Sequence, residues 1–212
     1  MKEGHAMGEQ LRRRTGIDAE KILDAALTLF ARQGYQVTSM DEIGSSLGIK
    51  GPSLYNHVRS KQEVLVTIMT NTMSALIRAQ NAALEAGGDF KTQLRRVVEA
   101  HVRYHAAHPR EAFVGNREIG SLETEYRVEL LELRDAYEHK LRSLIEDGSL
   151  EGEFLVPSAK LVSYAILEMG IGVATWFNPL GELGVDEVAY VYAEMALRMV
   201  TMRTHTEETS LL

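Results

Sequence analysis

Residues 41–58 read DEIGSSLGIKGPSLYNHV, and this stretch decides the fold. Gly48 stands where a turn between two short helices would fall, and glycine supplies the left-handed backbone that other residues resist. Gly44 is small enough to let the helices approach, and Pro52 suits a first helical turn because its missing N–H has no intrahelical acceptor there. The apolar residues fall where two such helices bury their contact, at Ile43, Leu47, Ile49, Leu54 and Val58. The stretch predicts a helix-turn-helix.

The second of these helices leaves a polar set on its outer face. Its members are Lys50, Ser53, Tyr55, Asn56 and His57. Their donors and acceptors suit base edges and phosphates, and a helix packed on both sides would not carry them. The set favours DNA binding over the alternative, which is a helical interaction protein whose corner binds no DNA.

The remainder of the chain predicts an all-α fold of about nine helices, because no stretch alternates with a period of two. Capping boxes mark two starts, at Ser39 with Glu42 and at Ser60 with Glu63. Asp186 is the predicted N-cap of the ninth helix. The predicted helices cover about 17–33, 40–47, 52–58, 61–87, 90–108, 110–119, 123–146, 158–177 and 186–203.

Composition excludes several classes of protein. The 212 residues contain no cysteine, which excludes disulfide scaffolds and thiolate chemistry. The net charge is −7, yet residues 1–61 carry nine Lys/Arg against seven Asp/Glu, so the positive excess lies with the candidate DNA-binding segment. No apolar run resembles a signal peptide or a membrane span. We therefore expect a cytoplasmic protein without a membrane partner.

A metalloenzyme is a weak alternative. His101 and His105 have the i, i+4 spacing of two zinc ligands. No HExxH motif, glycine-rich phosphate loop or serine elbow accompanies them. The sequence predicts no enzyme activity, no metal site and no cofactor.

The run from Ile17 to Leu65, which ends in LYNHVRSKQEVL, resembles the DNA-binding domain of TetR-family repressors. The resemblance implies an N-terminal arm and helix-turn-helix domain over residues 1–61 and an effector-binding and dimerisation domain over 62–212. It implies a homodimer that binds double-stranded operator DNA until a small effector releases it. Gly44 departs from the family, which usually has alanine there.

The same resemblance assigns roles to individual residues. Thr38, Ser39, Tyr55 and Lys61 are expected to bind phosphate. The residues expected to face the major groove are Lys50, Ser53, Asn56 and His57. Arg12, Arg13 and Arg14 precede the first helix and reach either the DNA backbone or a minor groove, unless they form a solvated tail.

The last two predicted helices are apolar on more than one face, which predicts that one side meets the core and the other a second subunit. TetR-like proteins dimerise through their last two helices, so the resemblance predicts the same interface here. Two recognition helices would then enter successive major grooves.

Polar residues on internal helices are the candidates for the effector site. His101, Tyr104, His105 and His108 share one face of the fifth helix. Glu168 lies in the middle of the nearly uncharged eighth helix, and Trp176 supplies an aromatic wall near its end. The connection before the long seventh helix adds Asn116, Arg117 and Glu118. For each residue a structural role, as a solvated surface group, an ion pair or part of the core, is the alternative.

Three stretches resemble the effector domain of acyl-CoA-responsive TetR members that control fatty-acid or steroid breakdown. They are AFVGNREIGSLETEYR at 112–127, RDAYE at 134–138 and WFNPLGELGVDEVA at 176–189. The implied effector is a CoA thioester, whose phosphates need cations such as Arg117, Arg127 or Arg134. The alternative is a repressor of an efflux gene that responds to drugs or aromatic compounds.

Overall fold

The computed structural model describes residues 19–201, and the fold over that range is all-α, which confirms the prediction. Nine α-helices and one short 3-10 helix make up this part of the chain, and it contains no strand. Arg12, Arg13 and Arg14 lie outside the described residues. The helices are α1 (Ala19–Gln33), α2 (Met40–Ser46), α3 (Gly51–Leu54), α4 (Lys61–Glu85), α5 (Phe90–Ala107), α6 (Pro109–Arg117), α7 (Thr124–Leu150), α8 (Ala159–Trp176) and α9 (Val185–Met199), with the 3-10 helix at Ile119–Ser121.

The chain divides into two compact units. Over the described residues the first unit comprises 19–72 and 110–130, and the second comprises 73–109 and 131–201. Helices α4 and α7 each contribute residues to both units. The segment 110–130, which follows α5 in the chain, therefore belongs to the same unit as the helix-turn-helix. The functional division at residue 61 stays a prediction.

The core of the first unit is built from apolar stripes on short helices. Fully buried Ile22, Ala26 and Phe30 recur along α1 at helical spacing. They share the interior with residues of the next three helices, Ile43, Leu54, Val64 and Leu65. This packing holds the helix-turn-helix on α1, because α2 and α3 are too short to be stable alone.

Two predicted helix boundaries are corrected by local hydrogen bonding. Helix α3 ends at Leu54 rather than Val58, since the amides of Asn56 and His57 bond to carbonyls three residues back in a turn. The ninth helix begins at Val185 with Gly184 as N-cap. Asp186 lies in its first turn, where its carboxylate accepts from Arg103 at 2.8 Å. The predicted capping box at Ser39 is present in full.

The second unit is a helical bundle around α5, which packs against both α8 and α9. Its buried stripe includes Leu94, Val97, Val98 and Val102. Small residues on α9 are fully buried and permit close approach, namely Ala189, Ala193 and Ala196. An ion pair of 2.7 Å between Arg95 and Glu194 joins α5 to α9 at the surface.

Candidate DNA-binding site and ligand-binding core

The two helices of the helix-turn-helix are in backbone contact at glycines. A Cβ at Gly44 would lie 2.9 Å from the carbonyl oxygen of Ile49 and 3.0 Å from the amide nitrogen of Gly51. Gly48 has φ +72°, the left-handed conformation predicted for the turn. The close contact at Gly44 explains why a residue without a side chain stands there.

The outer edge of this corner carries four of the eight predicted DNA-contacting side chains. Lys50, Ser53, Tyr55 and Asn56 are exposed, with Tyr55 56% exposed, while Leu54 between them is fully buried. The exposed groups therefore form one polar edge on α3 and the turn after it. His57, predicted to face the major groove, is only 8% exposed and points into the unit.

The predicted phosphate-binding residues before α2 differ in their surroundings. Ser39 is exposed, and its hydroxyl accepts from the Glu42 amide as the cap of α2. Thr38 is 1% exposed, and its hydroxyl donates to the carbonyl of Gly34 at 2.8 Å. The Thr38 side chain thus holds the loop between α1 and α2, and its role toward phosphate stays a prediction.

Lys61 is engaged inside the first unit. Its ammonium donates to the carbonyls of Tyr35 at 2.8 Å and Thr38 at 2.7 Å, and it lies 4.3 Å from the centre of the Tyr35 ring. Burial lowers the pKa of Lys61, and the nearby Glu118 carboxylate opposes that shift. In this arrangement Lys61 shapes the loop that presents Ser39, and its contact with DNA stays a prediction.

Glu118 connects the segment after α6 to the same loop. It is 6% exposed, and its carboxylate accepts from the amide of Tyr35 at 3.2 Å and from the hydroxyl of Ser121 at 2.9 Å. Sequence reasoning grouped Glu118 with the effector residues, but the side chain lies within the unit that contains the helix-turn-helix. The sequence spacing could have indicated this burial, because Glu118 lies four residues after Val114 and four before Leu122, and all three are buried.

The second unit encloses a hydrogen-bonded histidine. His101 Nε2 lies 3.0 Å from the carbonyl of Leu167 on α8, so this nitrogen carries the proton. Nδ1 then accepts from the Tyr137 hydroxyl of α7 at 2.9 Å. Burial lowers the pKa of His101 to about 4. His101 is therefore a neutral link between α5, α7 and α8.

His105 lies one turn further along α5 and has a different environment. It is 4% exposed, its ring is 4.5 Å from that of His101, and neither ring nitrogen has a hydrogen-bond partner among the described residues. Burial, with the neighbouring His101 and His108, lowers the pKa of His105 to about 3.

Sequence reasoning missed Gln80 of α4. This side chain is 1% exposed, and its amide nitrogen donates to the carbonyl of Tyr137 at 3.0 Å. Its Oε1 has no hydrogen-bond partner in the described chain.

The other predicted effector residues are divided between the two units. Tyr104 packs edge-on against His105, with ring centres 5.7 Å apart. Glu168 and Trp176 are exposed on α8, and Glu168 lies near Arg134, whose pKa is lowered by burial. Asn116 and Arg117 are exposed at the end of α6, in the first unit. The structure thus brings His101, Tyr104 and His105 together, and the remaining assignments stay predictions.

Both parts of the chain match known families. Residues 22–68 match the family described as bacterial regulatory proteins, tetR family, and residues 87–200 match the tetracyclin repressor-like C-terminal domain. The chain belongs to the TetR family. It is a DNA-binding transcription regulator and not an enzyme.

Individual TetR-family proteins are similar over nearly the whole chain. The transcriptional repressor KstR2 of Rhodococcus jostii is 26% identical over 179 residues, which is 84% of this chain and 88% of that protein. A tetR-family regulatory protein from Rhodococcus RHA1 has a crystal structure with a TM-score of 0.81 and 30% identity, covering 88% and 98% of the two chains. AibR, solved in complex with isovaleryl coenzyme A and operator DNA, has a TM-score of 0.76 and 22% identity, covering 84% and 96%.

The last two helices of this TetR-family regulator carry apolar residues on their outer faces. Leu161, Tyr164 and Trp176 are exposed on α8. Tyr190, Val191 and Met195 are exposed on α9. These two helices are the ones predicted to meet a second subunit.

Between residues 19 and 201 no helix is both long enough and apolar enough to cross a membrane. In the same range no three metal-ligating side chains lie close enough together to hold an ion.

Proposed function

We propose that this TetR-family regulator is a homodimeric repressor, acting in the cytoplasm, that releases its operator when an acyl-CoA thioester binds to its second unit. The observation that carries the DNA-binding part is the exposed polar edge formed by Lys50, Ser53, Tyr55 and Asn56 above the buried Leu54. The side chains of this edge can hydrogen-bond to base edges or phosphates in the major groove.

The proposed readout is divided between phosphate and base contacts. Asn56 is suited to a bidentate contact with adenine and Lys50 to guanine or phosphate. Tyr55 supplies a hydroxyl for phosphate, which positions the helix without reading sequence, and Ser53 faces the major groove beside Asn56. His57 is better suited to holding α3 in place than to reading bases, because it is buried.

The proposed dimer interface consists of the apolar outer faces of α8 and α9. Exposed tyrosine, tryptophan, valine and methionine side chains on adjacent helices are typical of a surface that another subunit covers. Two copies related by a two-fold axis present their recognition helices about one DNA turn apart, roughly 34–36 Å.

Val191→Asp combined with Met195→Asp places two charges in this face. We expect the variant to sediment as a monomer and to lose high-affinity operator binding, while Lys91→Glu in the first turn of α5 leaves the dimer intact. A double variant that remains dimeric at micromolar concentration would contradict the interface.

The effector class is supported by two observations. AibR, which shares this fold, binds isovaleryl coenzyme A, and KstR2 is a repressor similar over most of this chain. The second unit also contains buried polar groups without partners in the described chain, on Gln80 and His105, which is typical of a ligand site.

Fluorescence anisotropy with labelled DNA from upstream of the protein's own gene tests the proposal. We expect binding that weakens steeply with salt, since several phosphates are neutralised. Isovaleryl-CoA or octanoyl-CoA is expected to release the DNA, whereas coenzyme A alone is not. Release by planar drugs but by no thioester would contradict the effector class and leave the DNA-binding role standing.

A further inference from the structure

Three buried polar atoms in the second unit have no hydrogen-bond partner among residues 19–201. They are Oε1 of Gln80 and the two ring nitrogens of His105. Both side chains are more than nine-tenths buried. A buried polar group without a hydrogen-bond partner destabilises the fold, and native proteins contain few of them, so each one calls for a functional or structural explanation.

The two residues belong to one connected array. The amide of Gln80 donates to the backbone carbonyl of Tyr137, and the Tyr137 hydroxyl donates to His101. The His101 ring in turn packs edge-on against His105 at 4.5 Å. Helices α4, α5 and α7 therefore meet around a line of polar side chains inside the bundle.

The inner members of this array have fixed hydrogen-bonding roles. Since Gln80 Nε2 is already donating to a carbonyl, the orientation of its amide is set and Oε1 is left as an acceptor. His101 is satisfied on both ring nitrogens. Neutral His105 offers one donor and one acceptor. The three atoms without any partner thus offer two acceptors and one donor.

We propose that the place where α4, α5 and α7 meet binds a neutral ligand group that both donates and accepts hydrogen bonds, with Gln80 accepting from it and His105 supplying the complementary donor. A thioester or amide carbonyl with a nearby N–H or hydroxyl has this chemistry. The inference rests on the proposed function, because it assigns the polar anchor of the effector.

A carboxylate is a poor occupant of the same place. Burial and the adjacent histidines keep His105 uncharged at neutral pH, so this residue supplies no positive charge to the site. Arg134 on α7 has the carboxylate of Glu168 on α8 nearby, so its charge is already opposed. Burying a further negative charge would cost more than the hydrogen bonds return. The site is therefore expected to bind a thioester more tightly than the corresponding free acid.

The test uses His105→Phe and Gln80→Met in the full-length chain, with the exposed His139→Gln as matched control. Each core variant removes polar atoms that lack partners while roughly conserving volume, and Gln80→Met also removes the hydrogen bond to the Tyr137 carbonyl. We expect the melting temperature without ligand to rise by about 2–4 °C for His105→Phe, because a buried unsatisfied group is removed. For Gln80→Met we expect a change of less than about 2 °C, because the lost hydrogen bond to the Tyr137 carbonyl offsets the gain. Operator affinity without ligand is expected to stay unchanged, as is every property of the control.

Ligand binding is measured in the same thermal assay, with isovaleryl-CoA, octanoyl-CoA, octanoate and coenzyme A as probes. Wild-type protein is expected to be stabilised by at least one thioester and not by octanoate. Each core variant is expected to bind that thioester about tenfold more weakly or worse, since one lost hydrogen bond leaves a ligand group unpaired.

The outcomes separate this inference from the proposed function. Core variants that respond like wild type, or octanoate that stabilises as well as octanoyl-CoA, would overturn the anchor while operator binding and release still stand. A fall in the ligand-free melting temperature of both variants would assign the array to folding and would also overturn it. Wild-type protein that binds its operator but no thioester in the panel would overturn both the anchor and the effector class.

Discussion

Glu118→Ala should destabilise the first unit, although the residue follows α6, far along the chain from the helix-turn-helix. The substitution removes the acceptor of the buried Tyr35 amide and the carboxylate near Lys61. An unsatisfied buried donor costs about 1–3 kcal/mol, and the hydrogen bond from Ser121 is lost as well. We expect a loss of about 2–4 kcal/mol in the free energy of unfolding, which lowers the melting temperature by about 5–15 °C.

Glu118→Gln is the matched control, because the amide carbonyl can still accept from Tyr35. We expect it to lose under about 1.5 kcal/mol, mainly through the missing charge beside Lys61. Circular dichroism melts of the three proteins measure the difference, and operator binding reports whether the loop before α2 is disturbed. Equal melting temperatures for the alanine and glutamine variants would refute the role of the Tyr35 hydrogen bond.

Three further results are expected. The pKa values of His101 and His105 are lowered by burial to about 4 and about 3, below the ordinary 6.5, so their contribution to the free energy of unfolding is complete above about pH 6.5 and falls as pH drops toward 4. His105→Phe should reduce the slope of the free energy of unfolding against pH, measured by urea titration at each pH, by up to about 1.4 kcal/mol per pH unit, and an unchanged slope would count against the burial of His105 as a neutral ring. Gly48→Ala should lower the free energy of unfolding by about 1 kcal/mol through its φ of +72° alone, since a Cβ there meets nothing within 4 Å. Gly120→Ala, at an equally open position with an ordinary φ, should be near neutral in circular dichroism melts, and equal effects of the two variants would argue against backbone strain. Lys50→Ala should reduce the slope of log affinity against log salt concentration by about one if Lys50 binds phosphate. An unaltered slope would show that Lys50 does not bind phosphate and either contacts a base or makes no contact with DNA.

Local features of the fold were predictable from the sequence because they depend on near neighbours. The capping box of Ser39 and Glu42 and the left-handed turn at Gly48 each involve only a few residues. The all-α fold and the nine helices of residues 19–201 followed from periodicity and glycine breaks. The end of α3 was predicted four residues too late, since tight turn hydrogen bonds after Leu54 leave no trace in the apolar pattern.

The surroundings of individual polar side chains were not predictable in the same way. The Glu118 carboxylate and the Tyr35 amide are 83 positions apart, and no periodic pattern reports such a contact. Lysine is a residue type that commonly binds phosphate, yet the ammonium of Lys61 donates to backbone carbonyls instead. Burial of Thr38 is likewise decided by the fold of its loop.

The proposed ligand-binding core was predictable in part. His101 and His105 were recognised because they share a face of α5, and that face is the buried one. Gln80 was overlooked, although it continues the buried stripe of Met73 and Leu76 along α4 at helical spacing. A polar residue in register with a buried apolar stripe is the signal that finds such a site from sequence.

The central claim is that the exposed edge of α3 and its following turn binds the major groove. The most direct measurement is the affinity of Tyr55→Ala/Asn56→Ala for DNA from upstream of the protein's own gene, by anisotropy at fixed salt, with Lys91→Ala in the second unit as control. We expect the double variant to melt like wild type and to bind at least about 30-fold more weakly, and the control to bind normally. Wild-type affinity in a folded double variant would contradict the claim.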